Sequence, residues 1–411
     1  MYVRRSAAVL AATVVIGTAT PVTAADSAPS ASPSVAIPTG LYGTTDPTYD
    51  GVWRQSLALL ALDTVGVKPA AKAVEWLTGQ QCADGGFAPF RADVSKACDA
   101  KTPVDTNNTA AAVQALAALG GHDAVTGKAV AWLKSVQNKD GGWGYAVGGP
   151  SDANSTSVVI GALTAVGEKP GDVRKGGRSP YDALLSLAIP CGEDGGGAFA
   201  FQPDKKGKLA ANADATAAAV VGALGKTLAG AAPKPTAEAL ACKNAADPEQ
   251  AARNGAAYLV KALAKDDHLT SAMPGAENQP DYGNTADAVL ALSTAGHGDK
   301  AADAMRWLGS HYRQWAEQAG PAAYAQLILA ANTGFDVRDF DGTGDDLVER
   351  LTATGPAPEF VPAVKSPTAS DVQKQADKDD DNGVSVWWIV GVGLVAGIGV
   401  GFLISGRNKG K

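Results

Sequence analysis

The sequence predicts an all-α protein: a double ring of six helical hairpins, an α/α toroid, followed by one C-terminal transmembrane helix. Three observations lead to this prediction. A degenerate repeat occurs six times, each copy pairs an apolar helix with an amphipathic one, and one long uncharged segment lies near the C-terminus. A single hairpin of this kind cannot bury its apolar face, whereas stacked hairpins bury a continuous core. An open solenoid is the alternative, and the lack of a polar capping repeat favours the closed ring.

Two copies of the repeat match almost residue for residue. Residues 72–77 (KAVEWL) and 128–133 (KAVAWL) are each followed, at identical spacing, by a glutamine and an Asp-Gly-Gly-aromatic turn, at 84–87 and 140–143. The Trp-Leu segment belongs to the amphipathic helix, whose apolar stripe should face the core. Weaker copies follow at residues 183–196, 255–259, 304–308 and 347–351.

The other helix of each repeat is apolar nearly all round, which is typical of a buried helix. Residues 110–119 and 158–166 are the clearest examples. Glycine near a helix end is a common C-cap, and it occurs here at Gly66, Gly120, Gly167, Gly296 and Gly334. Asn, Asp and Thr are typical N-caps, and we expect them to cap these helices at Asn107-x-Thr109, Asn154-x-Thr156, Asp214-x-Thr216 and Asn284-Thr285.

Both ends of the chain predict membrane targeting. Arg4 and Arg5, followed by an apolar segment of small residues, are typical of a secretory signal. The uncharged stretch 384–404 is long enough to cross a hydrocarbon core of ~30 Å as a helix. Acidic residues precede it and basic residues follow it, which predicts a single-pass protein of the cell membrane with an extracytoplasmic body and a cytoplasmic C-terminus. The predicted parts are a signal peptide (1–25), a flexible lead (26–45), the toroid (46–355), a polar tether (356–383), the transmembrane helix (384–404) and a cytoplasmic tail (405–411).

Four cysteines fit the oxidising compartment that a secretory signal implies. Cys82 and Cys98 flank a short loop, and Cys191 and Cys242 flank a longer one. We predict a disulfide within each loop, although four cysteines allow three connectivities and free buried thiols are the alternative.

The charge balance excludes one class of partner. The net charge is −7 and charged residues make up 19% of the chain, with no basic patch. A nucleic acid needs several phosphates neutralised by Lys and Arg, so no nucleic-acid partner is expected.

The motif Lys/Ala-x-x-Trp-Leu-x-x-x-Gln-x-x-Asp-Gly-Gly-aromatic resembles the repeat of squalene–hopene cyclases and protein prenyltransferase β-subunits, the prenyltransferase/squalene oxidase repeat family. The resemblance covers residues 46–355 and implies the six-hairpin toroid of terpene cyclases and prenyltransferases. In that family the motif ties the end of an outer helix to the next inner helix. It therefore implies a fold rather than an activity.

The catalytic centres of that family are not complete in this sequence. Prenyl transfer needs zinc held by an Asp-x-Cys pair and a later His, and the positions that resemble them hold Asn154 and Asn284, poor replacements for a thiolate and an imidazole. The cyclases protonate an alkene with a buried Asp-x-Asp-Asp, and the match at 377–380 lies in the polar tether, where a carboxyl group would be ionised. We predict no catalytic residue, no metal and no cofactor.

Two further segments come close to reactive or metal-binding motifs. Residues 191–194 (CGED) resemble the Cys-Gly-Glu-Gln of thioester domains, but Asp194 replaces the glutamine. Residues 339–345 resemble the first seven positions of a calcium loop, but its twelfth position is Arg350 instead of a bidentate Glu. Ordinary turns are the favoured interpretation of both.

The N-termini of the inner helices should converge on one mouth of the ring, which we expect to form a ligand site. Helix N-termini and hydrogen-bonding groups above an apolar floor suit a ligand with amides, hydroxyls or a phosphate. Asp287 lies inside an inner helix and is expected to face the lumen. For each single residue, helix capping alone is the alternative. The other predicted ligand-binding residues are Arg54, Gln55, Asn107, Thr109, Asn154, Thr156, Asp214, Thr216, Tyr282, Asn284, Thr285 and Tyr324.

The toroid also resembles that of vitamin B12 carriers of the transcobalamin and intrinsic factor type, although the sequence shows no counterpart of their separate β-domain. This resemblance implies a non-catalytic, membrane-anchored protein that captures a corrinoid, a cobalamin-like ligand, for an uptake system. One alternative is an enzyme acting on terpenoids or glycans through Asp152, Asp214 or Asp287. A cell-surface scaffold for protein interactions is the other.

The predicted transmembrane helix carries a stripe of small residues. Gly393, Gly397 and Gly401 recur every fourth residue, so they lie on one face of a helix. Such faces pack against other membrane helices. A transporter subunit or a second copy of this chain is the expected partner.

Overall fold

A computed structural model describes residues 36–231, 235–236, 238–272 and 278–362. The predicted signal peptide, transmembrane helix and cytoplasmic tail lie outside these residues, as do most of the polar tether and the Asp-x-Asp-Asp match. Within the described residues, no helix has both the length and the apolar character needed to cross a bilayer.

The described residues form twelve α-helices that alternate between an inner and an outer ring. In chain order they are α1 (Gly51–Thr64), α2 (Ala71–Gly79), α3 (Thr106–Leu119), α4 (Asp123–Ser135), α5 (Ala153–Ala165), α6 (Pro180–Leu187), α7 (Ala213–Ala223), α8 (Pro248–Leu263), α9 (Tyr282–Thr294), α10 (Ala302–Ala319), α11 (Pro321–Ala331) and α12 (Leu347–Thr352). Short antiparallel hairpins pair β1 (Phe199–Ala200) with β2 (Ala211–Asn212) and β3 (Leu269–Thr270) with β4 (Pro280–Asp281). Two 3₁₀ segments, Pro170–Asp172 and Gly298–Ala301, complete these elements.

The inner ring consists of the odd-numbered helices, and it is closed. Helix α1 packs against both α3 and α11, and each other odd-numbered helix packs against the odd-numbered helices before and after it. The all-round apolar character of these helices has its reason here, since α1 buries Val52, Leu59 and Leu62 completely. The predicted closed ring is confirmed, and the open solenoid is wrong.

The Gln-x-x-Asp-Gly-Gly motif fastens one hairpin to the next. Gln81 Nε2 donates to the carbonyl oxygens of Gly85 at 3.1 Å and of Val125, in α4, at 2.9 Å. Gly85 has a φ of +105°, and a Cβ at this position would lie 2.3 Å from the carbonyl oxygen of Lys128. Only glycine tolerates both the left-handed backbone and this close approach. The second copy, at residues 137–142, repeats the arrangement.

A threonine near the start of four inner helices locks the preceding loop in place. Thr109 Oγ1 accepts a hydrogen bond from Phe87 N at 2.9 Å, directly after the Asp-Gly-Gly turn. In α1 the side chain of Gln55 takes this role, because its Oε1 accepts from Tyr42 N at 2.8 Å. The corresponding bonds join Thr156 to Trp143, Thr216 to Phe199 and Thr285 to Leu269 at 2.9–3.1 Å.

The first and last described segments meet at the seam where α1 adjoins α11. Tyr42 is completely buried, and Gly43 N donates to the carbonyl oxygen of Thr354 at 2.8 Å. On the opposite face of the ring, Lys68 N donates to Phe360 O at 2.9 Å. Packing therefore extends ahead of residue 46 and beyond residue 355, the predicted limits of the toroid.

Of the two disulfides, Cys82–Cys98 closes the loop that precedes α3, and Cys191–Cys242 joins the loop before α7 to the loop before α8. The predicted local pairing is confirmed, and the alternative of free thiols is wrong. Because the sulfur of Cys191 is bonded to that of Cys242, the thioester-like segment 191–194 offers no free thiol in this structure.

Candidate functional site

The inner helices begin earlier than the Asn-x-Thr pattern suggests. Asp105 caps α3, and its carboxylate accepts from Asn108 N at 2.8 Å. Asp152, Asn212 and Asp281 cap α5, α7 and α9 in the same way, so the predicted cap at Asn284 is wrong. The predicted caps at Asn107, Asn154 and Asp214 are therefore wrong, because a better-placed acceptor two residues upstream already satisfies the free N–H groups. Those three side chains are free to turn inward.

The inner helices enclose a cavity of about 200 Å³, here called the lumen. Asn107, Asn154 and Asp214 line it in the first turns of α3, α5 and α7, at the mouth of the ring. Asp287 and Gln326 line it about one turn further along α9 and α11. The apolar part of the wall consists of Trp53, Leu57, Val158, Ala217, Ala218, Val221, Leu290 and Leu329. A few polar groups thus lie on a mostly apolar surface, which is typical of ligand sites.

Two hydrogen bonds orient the carboxylates of the lumen. Asn154 Nδ2 donates to Asp214 Oδ2 at 2.8 Å. Gln326 Nε2 lies 3.2 Å from each carboxylate oxygen of Asp287. Among the described residues, no Lys or Arg forms an ion pair with either carboxylate, so their negative charge is balanced only by amide dipoles.

Burial perturbs the protonation of both groups. Burial, together with the nearby charges of Asp214 and Asp281, raises the pKa of Asp287 to about 7, and the hydrogen bond from Gln326 opposes the rise. Burial also raises the pKa of Asp214, against the hydrogen bond from Asn154. Near neutral pH, the Asp287 carboxyl is therefore close to half protonated.

Asp287 occupies a position that is apolar in other repeats. It lies two residues after Thr285, and the equivalent positions of α1, α5 and α7 are Leu57, Val158 and Ala218, all on the lumen wall. A carboxyl group costs stability in such a place. Its presence in one repeat of the ring points to function more than to packing.

A loop after α7 crosses the end of the lumen opposite the mouth. Residues 226–228 line this end, and Leu228 N donates to Gln114 Oε1 at 2.7 Å. Gln114 Nε2 also donates to Val158 O at 2.8 Å, so one side chain joins α3, α5 and the loop. Gly161 leaves the room for it, since a Cβ there would lie 2.8 Å from Gln114 Nε2.

The remaining predicted ligand residues are engaged elsewhere in the ring. Arg54 donates to Thr45 and forms an ion pair with Asp50 at 3.2 Å. Asn284 Nδ2 donates to the cap Asp281 at 2.8 Å, and Tyr324 is buried. The side chains bound to loop N–H groups, as described above, are Gln55, Thr109, Thr156, Thr216 and Thr285.

Tyr282 belongs to an aromatic cluster on the rim that sequence analysis missed. The ring of His268 stacks on Trp307 with 4.2 Å between centroids, and that of His311 does so at 4.9 Å. Tyr282 lies 5.0 Å from Trp307 and 5.4 Å from Trp315. The two histidines come from different elements with no motif spacing, so only the folded ring brings them together.

The lumen and the rim cluster border a common cleft. Asp214 lines the lumen and also a larger cleft of about 650 Å³. The cleft also contains His268 of the rim cluster, the cap Asp281 and Asn284. The mouth therefore combines a narrow acidic lumen with a wider surface beside it.

The acidic segment 339–345 has its carboxylates occupied. Asp345 is bonded to Arg350 at 2.8 Å, and Arg313 pairs with Asp341. Thr343 donates to Asp341 as well. The arginine at the twelfth position thus supplies a positive charge where a calcium loop would supply a carboxylate.

Comparison with known proteins agrees with the repeat. Residues 52–189 match the family model of the prenyltransferase alpha-alpha toroid domain. Solved structures with a similar chain include the ent-copalyl diphosphate synthase of Streptomyces platensis, at 17% identity and a TM-score of 0.45, over 69% of this chain and 50% of that one. This chain thus spans about half the length of the synthase. A protein from Actinoplanes aligns at 17% identity and a TM-score of 0.31, over 68% of this chain and 99% of that one. No curated protein sequence matches the chain. The match over residues 52–189 and the ring of twelve described helices agree with the prenyltransferase-like α/α toroid repeat that the motif indicated.

Proposed function

We propose that this chain is a non-catalytic ligand-binding protein whose lumen receives an N–H donor group of an organic ligand. The excess of hydrogen-bond acceptors in the lumen carries this proposal. The carboxylates of Asp214 and Asp287 have no described cation beside them, and the amide oxygens of Asn107 and Asn154 have no donor. Burying acceptors without donors destabilises the protein, and an N–H donor from a ligand would remove this penalty.

The same charges argue against a phosphorylated ligand. A phosphate or diphosphate at the mouth would face Asp214 and Asp287 in the lumen and the caps Asp152 and Asp281 beside it. Repulsion by these carboxylates opposes the attraction of the helix N-termini. We therefore propose a ligand whose entering group is neutral or cationic.

A corrinoid remains the proposed ligand class, because its macrocycle is apolar and its peripheral carboxamides are N–H donors. The lumen, at about 200 Å³, is smaller than the roughly 300–1,000 Å³ of pockets for drug-sized ligands. We propose that one carboxamide arm enters the lumen and that the macrocycle lies across the mouth. Tyr145 and Phe201, which are exposed beside the starts of α3 and α5, offer apolar surface for it.

Titration of the full-length chain with cobinamide and cyanocobalamin, followed by the corrin absorbance, tests this proposal. Ala218→Trp would fill the lumen from its wall, and Ala131→Trp, on the exposed face of α4, is the matched control. We expect spectral shifts with the wild type and the control, and a weaker or absent shift with Ala218→Trp. No shift with the wild type at high micromolar corrinoid would remove the corrinoid from the proposal.

Asp287 favours a second candidate, acid catalysis on a neutral terpenoid or a glycan. A carboxyl group with a pKa of about 7 on an apolar wall keeps a proton available at neutral pH, as a general acid requires. This candidate predicts that the full-length chain converts a neutral polyprenyl or oligosaccharide substrate and that Asp287→Asn abolishes the conversion. Equal product formation by wild type and variant would reject it.

We further propose that the toroid is held outside the cell by the predicted helix 384–404. The stripe of Gly393, Gly397 and Gly401 supports a membrane partner, either a transporter subunit or a second copy of the chain. Disulfide crosslinking of a Gly397→Cys variant in membranes would trap this partner, and an exposed Gly207→Cys variant serves as control. Equal crosslinking at both positions would contradict a specific helix contact.

A further inference from the structure

We infer that the lumen is built for a positively charged nitrogen on an apolar stem, a primary alkylammonium group. This inference rests on the proposed function, because it assumes that the lumen is the ligand site, and it places a cationic N–H donor there in place of the neutral carboxamide. It is carried by the arrangement of carboxylates, unpartnered polar atoms and apolar wall around one cavity.

The first observation is the uncompensated charge. Asp214 and Asp287 lie on neighbouring helices and line the same cavity. The charge of Asp214 is close enough to raise the pKa of Asp287. Asp281 and Asp152 add to the negative potential at Asp214. Among the described residues, no Lys or Arg lies close enough to Asp214 to balance this potential. Lys226 borders the opposite end, where its side chain is exposed. A cation entering the lumen would relieve the repulsion between these carboxylates.

The second observation is independent of the acids. Ser157 is 6% exposed and lines the lumen, and its Oγ has no hydrogen-bond partner. The Oδ1 atoms of Asn107 and Asn154 are also buried without a donor. An ammonium group carries three N–H donors and no acceptor, which complements a set of carboxylate, amide and hydroxyl oxygens.

The third observation concerns what carries the charge. Leu57, Leu290 and Leu329 form apolar wall next to these oxygens, and Trp53 adds an indole that attracts cations. An alkyl stem gains from burial against such a wall, whereas a hydrated metal ion does not. Moreover, no group of three or more His, Cys, Asp or Glu side chains in the described ranges is arranged to hold a metal ion.

Titration of the full-length chain with n-butylammonium, against n-butanol as the neutral probe of equal length, tests the inference without any mutation. We expect saturable binding of butylammonium, and we expect butanol to bind at least about tenfold more weakly. This ratio corresponds to the contribution of hydrogen bonds to a charged group. Binding should strengthen between pH 6 and pH 8, as Asp287 loses its proton. Nα-Acetyl-lysine N-methylamide, as a third probe, distinguishes a lysine side chain of a protein from a free amine.

Variants locate the site. Asp287→Asn and Asp214→Asn keep the shape of each side chain, and Asp172→Asn, on an exposed segment, is the control. We expect the two lumen variants to weaken butylammonium binding by about tenfold or more and the control to leave it unchanged.

Equal affinity for butanol and butylammonium, or an affinity independent of pH and of both lumen acids, would overturn the inference. If a corrinoid binds but butylammonium neither binds nor competes, the inference fails and the proposed function stands. If butylammonium binds but no corrinoid does, the corrinoid proposal fails and the ammonium site stands.

Discussion

The side chain of Asn154, in α5, donates a hydrogen bond of 2.8 Å to the carboxylate of Asp214, in α7. This bond joins two neighbouring inner helices at the mouth, sixty residues apart in the chain. It also leaves Oδ1 of Asn154 without a partner. The asparagine thus steadies one acceptor of the lumen while leaving another available.

Replacing Asn154 by alanine should raise the pKa of Asp214. The bond from Nδ2 stabilises the carboxylate form, and its loss leaves burial and the neighbouring acids to act alone. A pH titration of the ¹³C carboxyl signal would measure the change. Asn107→Ala, which removes another lumen amide without touching Asp214, is the control. A downward shift, or equal shifts in both variants, would contradict this assignment.

Replacing Asp287 by asparagine should make the protein more stable at alkaline pH. The pKa of this carboxyl is about 7 in the folded chain and near 4 when unfolded, so the folded state binds the proton more tightly. Stability is therefore highest at low pH and falls as the pH rises between these values. Asp287→Asn should remove this loss, up to about 4 kcal/mol at pH 8, and change little at pH 4. Urea unfolding across this range would measure it, and parallel curves for both proteins would refute the assignment.

Replacing Thr156 by valine should destabilise the ring although the shape of the side chain is preserved. Its hydroxyl accepts the N–H of the buried Trp143 at 3.1 Å, and valine leaves that N–H without an acceptor. The expected cost is about 1–3 kcal/mol in the free energy of unfolding. Thr164→Val is the matched control in the same helix, since Thr164 Oγ1 has no partner. Similar losses in the two variants would show that the loop bond contributes nothing.

Removing the Cys191–Cys242 disulfide should cost more stability than removing Cys82–Cys98. The first bridge spans 51 residues and the second 16, and loop-closure entropy grows with loop length. The chain-entropy relation gives about 4 kcal/mol for the longer loop and about 3 kcal/mol for the shorter. Thermal unfolding of the two double Cys→Ala variants would compare them. The reverse order would indicate that native-state packing outweighs loop entropy here.

The ring was predictable because its physical causes are local and repeated. The Gln-x-x-Asp-Gly-Gly turn, the all-round apolar helices and the glycine ends are each readable in a short window. The local disulfide pairing was predicted from the loops that the cysteines flank, and the structure confirms it. Asp287 was recognisable as a single acid within an apolar helix, and the structure places it on the lumen wall.

The rest of the site depends on which neighbour each side chain meets. Threonines at the mouth looked like ligand groups, yet each is used by a loop N–H that lies 13–22 residues upstream in the chain. Asp105 outcompetes Asn107 as a cap, and this choice turns Asn107 inward. Gln326 carried a usable signal, since it is a polar residue inside the apolar run of α11. By contrast, the sequence carries no signal for the stacking of His268 and His311 on Trp307.

The central claim, that the lumen is a ligand site, is tested most directly by the side-chain amide signals of asparagine. In a full-length chain labelled with ¹⁵N-asparagine, Asn107 and Asn154 report on the lumen, and Asn138, bonded to Gly149 O at 2.9 Å outside it, reports on the rest of the ring. Addition of cyanocobalamin or n-butylammonium should shift the signals of Asn107 and Asn154 in a saturable manner and leave that of Asn138 in place. Binding of either compound with the two lumen signals unmoved would contradict the account.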